Sequence, residues 1–399
     1  MESLEGALSI LLSHAKSVTD AQELPLLDAL NRIAAEDVVS PMNVPPFNRS
    51  PLDGYALHSE DIADASREHP AVVKVIGEAC AGCGDVFRPA RGEAVRVMTG
   101  APVPETCDCV IRQEDTDEGM DYAEIYAPVR HGRNICLAGE DVAVGEVLVH
   151  AGEKLTATHL AVLAGVGKAR VKVVRRVRAA LLCTGDELTQ PGQPLTFGKI
   201  YDSNQMALTA RLAELGVECV QLGELSDDPQ NVADALAHAA LEADIILTTG
   251  GVSVGKKDIF HQVLPLMGAE RLFWRIAMKP GSPLLCGLYQ DKLMICLSGN
   301  PFAALCCFEV FVVPTLRRLS GETSIEAKRV KTRLRGEFPK PSPGRSLIRA
   351  VFDGETVRPA SGNHSSGSLS ANIGCNCLID IPAGTGALHQ DDEVEVVLI

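Results

Sequence analysis

The chain has 399 residues, 46% hydrophobic and 22% charged, a balance that excludes a disordered polymer. Its 52 acidic and 37 basic residues give a net charge of −15, an average field that repels nucleic-acid backbones and anionic membranes. Aromatics make up only 4%, so base stacking is not its main business.

At roughly 150 residues per domain, the length suggests about two to four domains. The N-terminus, MESLEGALSILLSHAKSVTD, has no basic leader and no small-residue cleavage site. It reads as an amphipathic first helix. The longest apolar stretch, residues 303–316, is interrupted by Glu309 and Pro314 and is too short to cross a bilayer. The 13 cysteines, an odd number, predict a cytoplasmic protein with mostly free thiols. Cys80 and Cys83 form a CxxC; Cys107 with Cys109 and Cys375 with Cys377 form CxC pairs. No His follows them at finger-like spacing, so they read as small buried or half-buried residues rather than a zinc site.

Residues 1–45 hold the first helix and an extended, proline-rich segment. Residues 46–137 alternate short β-rich runs with Gly, Pro and Asp turns, an inserted β-rich domain. Residues 138–172 return to helix around THLAVLAGVG and pair with residues 1–45 as an elongated linking domain. Residues 173–322 alternate strands and helices. VRAALLC is continuously apolar, as a buried parallel strand should be. SNQMALTARLAEL is an amphipathic helix with Ser203 as its N-cap candidate. Asp228 caps the next helix, with Pro229 at its first position. A further helix begins at Asp258. RLFWRIAMKPG, SPLLCGL and KLMICLSGN read as strands, and Asn300–Pro301 opens a last helix to about Leu319. Residues 323–399 hold five β-rich runs, a small barrel or sandwich. The expected fold is thus multidomain α+β and α/β, with a three-layer α/β domain as its centre.

Three loops follow predicted α/β strands: TGDE at 184–187, GGVSVG at 250–255 and SGNP at 298–301. Glycine-rich turns after buried strands let backbone N–H groups converge on an oxyanion. GGVSVG has neither the GxGxxG spacing nor GK[ST], so it is no ordinary dinucleotide or Walker A loop. Asp186, Glu187, Asp227, Asp228 and Asp258 collect at the same edge. Such carboxylates either hold a hard divalent cation, Mg²⁺ foremost, or cap helices. Lys279, in MKPG, is either an anion ligand or a solvated lysine. In the β zone, LDGYA puts Asp53 in a tight turn, and MTGAPVP exposes the Thr99 hydroxyl on a rigid one.

LDGYA, MTGAPVP, the GED ending at Asp141, TGDE, YDSN, SDDP, GGVSVG, MKPG and SGNP occur in this order over nearly the whole chain. In this the sequence resembles the molybdopterin molybdenumtransferases, the molybdenum insertase family of MoeA and the gephyrin E domain. The resemblance implies a homodimer of elongated four-domain subunits. It implies insertion of molybdenum from molybdate into adenylyl-molybdopterin, with a divalent cation and release of AMP. The functional positions it carries over are Asp53 and Thr99 (from the partner's β zone), Asp141, Glu187, Asp227, Asp258, Lys279 and Pro301. On this reading the GGVSVG backbone, with Gly250, Gly251, Ser253 and Gly255, holds the pterin phosphate, with Asn300 in the neighbouring SGNP loop. Asp227 and Asp258 hold Mg²⁺, and Lys279 offsets anionic charge. Ser366, Ser368 or Ser370, and Arg349, reach an oxyanion from the last domain. Partners would be a molybdopterin adenylyltransferase and the recipient molybdoenzymes or their chaperones.

Three positions depart from the family pattern. Ser282 replaces the second lysine of KPGKP, Ala303 replaces a serine, and Cys136 replaces an arginine. A lost lysine weakens attraction for a dianion. Either Arg275 or Arg349 compensates, or the protein handles another oxyanion such as tungstate. The rival readings are a molybdopterin carrier without insertion activity and an adenylyltransferase.

Overall fold

The computed structural model describes residues 1–82, 84–223, 225, 228–252 and 259–399. Helix α1 (Leu4–His14) starts at Ser3, whose Oγ accepts from the Gly6 N–H at 2.9 Å. Its buried Leu4, Ala7 and Leu11 lie on one helical stripe and join the core of the α/β layer. Strands β1 (Ala21–Pro25) and β2 (Val38–Val39) follow. The β zone is one sheet of β3 (Gly54–Leu57), β4 (Ala71–Ala79), β5 (Glu93–Val97), β6 (Cys109–Arg112) and β7 (Tyr122–Ile125), in the order β6-β3-β5-β4-β7. Then β8 (Val147–Val149), α2 (Ala157–Gly165) and β9 (Arg170–Val174) bring the chain back. β8 pairs antiparallel with β2, and β9 with β1.

The α/β layer runs β10 (Arg178–Cys183), β11 (Leu188–Thr189), β12 (Ile200–Tyr201), α3 (Ser203–Glu214), β13 (Glu218–Gln221), α4 (Pro229–Ala239), β14 (Ile245–Thr249) and α5 (Phe260–Met267). It continues through β15 (Glu270–Trp274), β16 (Met278–Lys279), β17 (Leu285–Tyr289), β18 (Lys292–Leu297), α6 (Pro301–Cys307) and α7 (Val313–Leu319). The sheet order is β13-β10-β14-β18-β17-β15, with the first four strands parallel and β17 antiparallel to β18. Strand alternation explains the three layers. Ala179 and Leu181 of β10 enter one core with Leu208 and Leu212 of α3; Ala180 and Leu182 enter the other with Leu236 and Val263 of α4 and α5.

Four local expectations need correction. Asp202, not Ser203, caps α3, its carboxylate accepting from the Gln205 N–H at 2.9 Å. The helix after β14 begins at Phe260, with Ile259 as N-cap; Asp258 lies outside the described residues. The last helix is not one α-helix. Residues Phe308–Val312 form a π turn between α6 and α7, just before Pro314, which has no N–H to continue the i→i−4 ladder. Arg211 of α3 grips that turn by two bonds to Glu309, of 2.7 and 3.1 Å. RLFWRIAMKPG is also not one strand. Arg275 has φ 68°, which breaks the run between β15 and β16.

The freed β16 leaves the α/β sheet and joins the last domain. There β19 (Arg329–Leu334), β20 (Arg345–Phe352), β21 (Thr356–Pro359), β22 (Cys377–Ile381) and β23 (Glu393–Leu398) close a ring: β20-β21-β19-β23-β22 and back to β20. This is a barrel, filled by Ile348, Ala350, Val357, Ile379 and Val396. β16 pairs parallel with the start of β20, Met278 opposite Arg345 and Lys279 opposite Ser346.

Candidate active site

The parallel sheet reverses its order of strand addition at β10, between β13 and β14, so its crevice opens at the carboxyl ends of those strands. Backbone bonds knit the loops there. Thr184 N–H donates to the Thr249 carbonyl at 2.9 Å, and Gly250 N–H to the Leu297 carbonyl at 3.1 Å. Gly250 has φ 89°, and a Cβ on it would lie 2.3 Å from the Thr184 carbonyl oxygen. Only glycine lets the β10 and β14 ends approach this closely. Gly281 serves the KPG turn likewise: φ is 92°, and a Cβ would sit 2.2 Å from Cys307 Sγ.

The barrel supplies the opposite wall. A cleft of about 1340 Å³ lies between the strand-end loops, the 279–283 turn, and barrel residues 338–348 and 363–369. The barrel loop is tied to α6, because Phe302 N–H donates to the Ser366 carbonyl at 2.9 Å. That satisfies a first-turn amide of the helix. Asn204 Nδ2 similarly binds the Gly299 carbonyl at 2.8 Å. Among the described residues the lining carries two lysines, Lys279 and Lys340, and one carboxylate, Glu187. Both lysines are exposed and neither forms an ion pair among the described residues. His364, also in the wall, is kept toward its neutral form by burial and by the nearby Arg349 charge.

The cleft therefore gathers Glu187, Gly250, Gly251, Lys279, Ser282, Asn300, Pro301 and Ser366 from three sequence zones. Ser253, Gly255, Asp227 and Asp258 lie outside the described residues. Asp228 is a helix cap, accepting from Asn231 N–H at 2.9 Å. Arg349 is not in the lining. It is 1% exposed behind the wall, bonded to the carbonyls of Ser365 and Ser368 at 2.8 and 2.6 Å and stacked 3.8 Å from the Phe302 ring. It shapes the serine loop rather than facing the cavity. Asp53, Thr99 and Asp141 do not line this chain's cleft. Asp53 and Thr99 meet each other in the five-stranded domain, Asp53 accepting from the Thr99 N–H at 2.7 Å and its hydroxyl at 2.8 Å. Those bonds hold the Asp53 carboxyl below its ordinary value. The cysteines stand apart: burial pushes the Cys107, Cys109 and Cys183 thiols up to about 12, which leaves little thiolate.

Comparison with known proteins bears on this arrangement. Three family models cover the chain: the MoeA N-terminal region (domain I and II) at residues 2–167, a probable molybdopterin binding domain at 180–318, and the MoeA C-terminal region (domain IV) at 331–399. The molybdopterin molybdenumtransferase of Bacillus subtilis (strain 168) is 36% identical over 396 residues, 97% of this chain and 91% of that one. The chain belongs to the MoeA family. The enzyme of the same name from Staphylococcus aureus (strain MRSA252) is 35% identical over 96% of this chain and 92% of its own. A crystal structure of a molybdopterin biosynthesis moeA protein from Pyrococcus horikosii superposes with TM-score 0.87 at 34% identity, over 99% of this chain and 98% of the other. The chain is thus a MoeA-type transferase.

The departures from the MoeA pattern now have positions. Ser282 spends its hydroxyl on the Ile276 carbonyl at 2.8 Å, within the turn that carries Lys279. Ala303, in the first turn of α6, is 2% exposed and lines the cleft. Cys136 lies away from the cleft, exchanging backbone bonds with Arg49 at 2.9 and 3.0 Å. Sequence reasoning missed Lys340. Its signal is a lysine beside two prolines in KPSPG, ordinary in isolation; only the fold brings it into the same cavity as Lys279.

Proposed function

We propose that this chain inserts molybdenum from molybdate into adenylyl-molybdopterin, with Mg²⁺-dependent release of AMP. The observation that carries this reading is the charge of the cleft. In a chain of net charge −15, the described part of the cavity holds two lysines without an ion pair against one carboxylate, beside the Gly250–Gly251 turn. Such a site favours anionic substrates despite the average field. The names of the relatives, molybdopterin molybdenumtransferase, supply the substrate class.

In this reading the Gly250–Gly251 turn lies against the phosphate of the pterin, and Lys279 balances its charge. Ser366 offers a hydroxyl to the oxyanion. Glu187 in the wall, together with Asp227 and Asp258 of the sequence motifs, would be hard oxygen donors that suit Mg²⁺. When bound there, Mg²⁺ supplies positive charge against the pyrophosphate. Asp53 and Thr99, remote from the cleft of their own chain, complete that of a second copy in a homodimer. Asp141 is a functional position only by resemblance to the family, and it does not line the cleft of its own chain. The protein acts in the cytoplasm; among the described residues no helix is long and apolar enough to cross a membrane.

The test is incubation of purified protein with adenylyl-molybdopterin, molybdate and Mg²⁺. AMP and active cofactor should appear together, and Lys279→Ala should slow both. Binding of the pterin with no AMP would leave the carrier reading. That reading draws on Ser282, whose hydroxyl is already engaged, and on Ala303, which has none.

A further inference from the structure

Ser282 leaves the cleft one cation short of the KPGKP pattern, and neither arginine expected to compensate is available. Arg349 is spent on the carbonyls of Ser365 and Ser368 and on the Phe302 ring. Arg275 does not line the cleft; its guanidinium stacks 4.9 Å from the Trp274 ring centroid. We propose that Lys340, carried by the barrel, is the second cation of the oxyanion end of this cleft. The inference rests on the molybdate-insertion reading and names a residue of that site.

The support is geometric. Lys340 lines the cavity, is exposed, and makes no ion pair among the described residues. Its loop is held firmly. Ser342, two residues on, is 3% exposed, donates its N–H to the Thr385 carbonyl at 2.9 Å and accepts from Gly384 N–H at 2.8 Å. Pro341 and Pro343 fix φ on either side of it. The loop runs directly into β20, whose Ser346 pairs with Lys279. Lys279 comes from the segment that leaves the α/β layer and Lys340 from the barrel loop, and both line the cavity beside the β16–β20 pairing. A tetrahedral dianion in this cavity has Lys279, Lys340 and Ser366 in its lining. The loops of Gly250 and Gly251 lie on the α/β side, where the phosphate of the larger substrate is assigned. Lys340 therefore serves the smaller anion.

The experiment measures molybdate binding by calorimetry and steady-state AMP release, on wild type, Lys340→Ala and Lys340→Arg. Losing one charge-assisted hydrogen bond should weaken molybdate binding about ten- to a hundredfold. The KM for molybdate should rise accordingly, with the KM for adenylyl-molybdopterin nearly unchanged. Lys340→Arg should keep most of the affinity. Equal molybdate affinity in wild type and Lys340→Ala would overturn the assignment while leaving insertion intact. A rise confined to the KM for adenylyl-molybdopterin would overturn it too, by moving Lys340 to the phosphate. Absence of both molybdate binding and AMP release in wild type would sink the functional reading, and this inference with it.

Discussion

Lys279 and Ser346 face each other across a two-residue parallel pairing that joins the α/β layer to the barrel. The strand that carries this cation is thereby set in register with the barrel. Next to this pair, Arg345 binds Asp380 at 2.6 and 2.8 Å and also reaches Glu5 of α1. Arg329 adds a third bond to Asp380 at 2.8 Å. This cluster fixes the seam, so its titration should be felt in stability.

Asp380 sets the first prediction. Burial alone would raise its pKa, but the two arginines outweigh burial and hold it below the ordinary carboxylate value. A depressed carboxylate contributes stability above its unfolded pKa, about 3.9, and loses it as pH falls through the lower folded value. Asp380→Asn should therefore lower Tm at pH 7, and the gap to wild type should begin to narrow below about pH 4 and shrink further as pH falls toward the lower folded value. Thermal melts from pH 7 to 3 read this out; a gap that stays constant would rule out the carboxylate as its origin.

Glu309 gives the second prediction. It is 8% exposed in the π turn, and Arg211 depends on it for two bonds. Glu309→Ala leaves a half-buried guanidinium short of a partner; fully buried broken pairs cost about 3–5 kcal/mol, and the loss here should be smaller because Arg211 is partly exposed and keeps Glu214. Urea melts should show the midpoint fall with an unchanged slope. A midpoint within experimental scatter of wild type would mean that Glu214, the other partner of Arg211 at 2.8 Å, suffices alone.

Gly250→Ala should be worse for function than for folding. The left-handed backbone costs about 1–2 kcal/mol with a side chain. The added Cβ must also push away the Thr184 carbonyl, 2.3 Å off, and so part the β10 and β14 loops. Turnover should drop at least about a hundredfold, as misplacement of a site by about an ångström does. Circular dichroism should still show a folded chain. Full turnover would mean that the glycine turn does not touch substrate.

The parallel strands were legible because residues 178–183, 245–249 and 292–297 are apolar runs bounded by turns, and burial on both faces demands that pattern. The glycine loops were legible because they end such runs. What escaped depended on tertiary placement. Nothing in RLFWRIAMKPG announces that Arg275 turns left-handed and sends Met278–Lys279 to another sheet. Arg349 looks like an anion ligand in sequence, but the serine-loop carbonyls satisfy its guanidinium first. The Asp228 cap, by contrast, was legible because Pro229 follows it, and its carboxylate accepts from the Asn231 N–H three residues ahead.

Asp53 offers a titration test that does not need the reaction. Its lowered pKa rests on the Thr99 backbone bond first and the hydroxyl second. Thr99→Val removes only the hydroxyl, so the Asp53 carboxyl should move part of the way back up. Carbon-13 detected NMR titration would follow it. An unmoved titration curve would show that the backbone bond alone sets the value.

The last prediction concerns where Asp53 acts. It does not line the cleft of its own chain, whereas Lys279 does. If one copy's β-rich sheet completes the other's cleft, Asp53→Asn and Lys279→Ala damage different contributions to one site. Each variant alone should be nearly inactive. Unfolded and refolded together in equal amounts, half of the dimers should be mixed. Each mixed dimer then has one site with both defects and one with neither. Activity should return to about a quarter of wild type, as expected for random pairing in a two-fold assembly. The two variants mixed without subunit exchange should stay inactive. No recovery after verified exchange would place Asp53 and Lys279 in the same subunit's site, and the homodimeric reading of the cleft would fall.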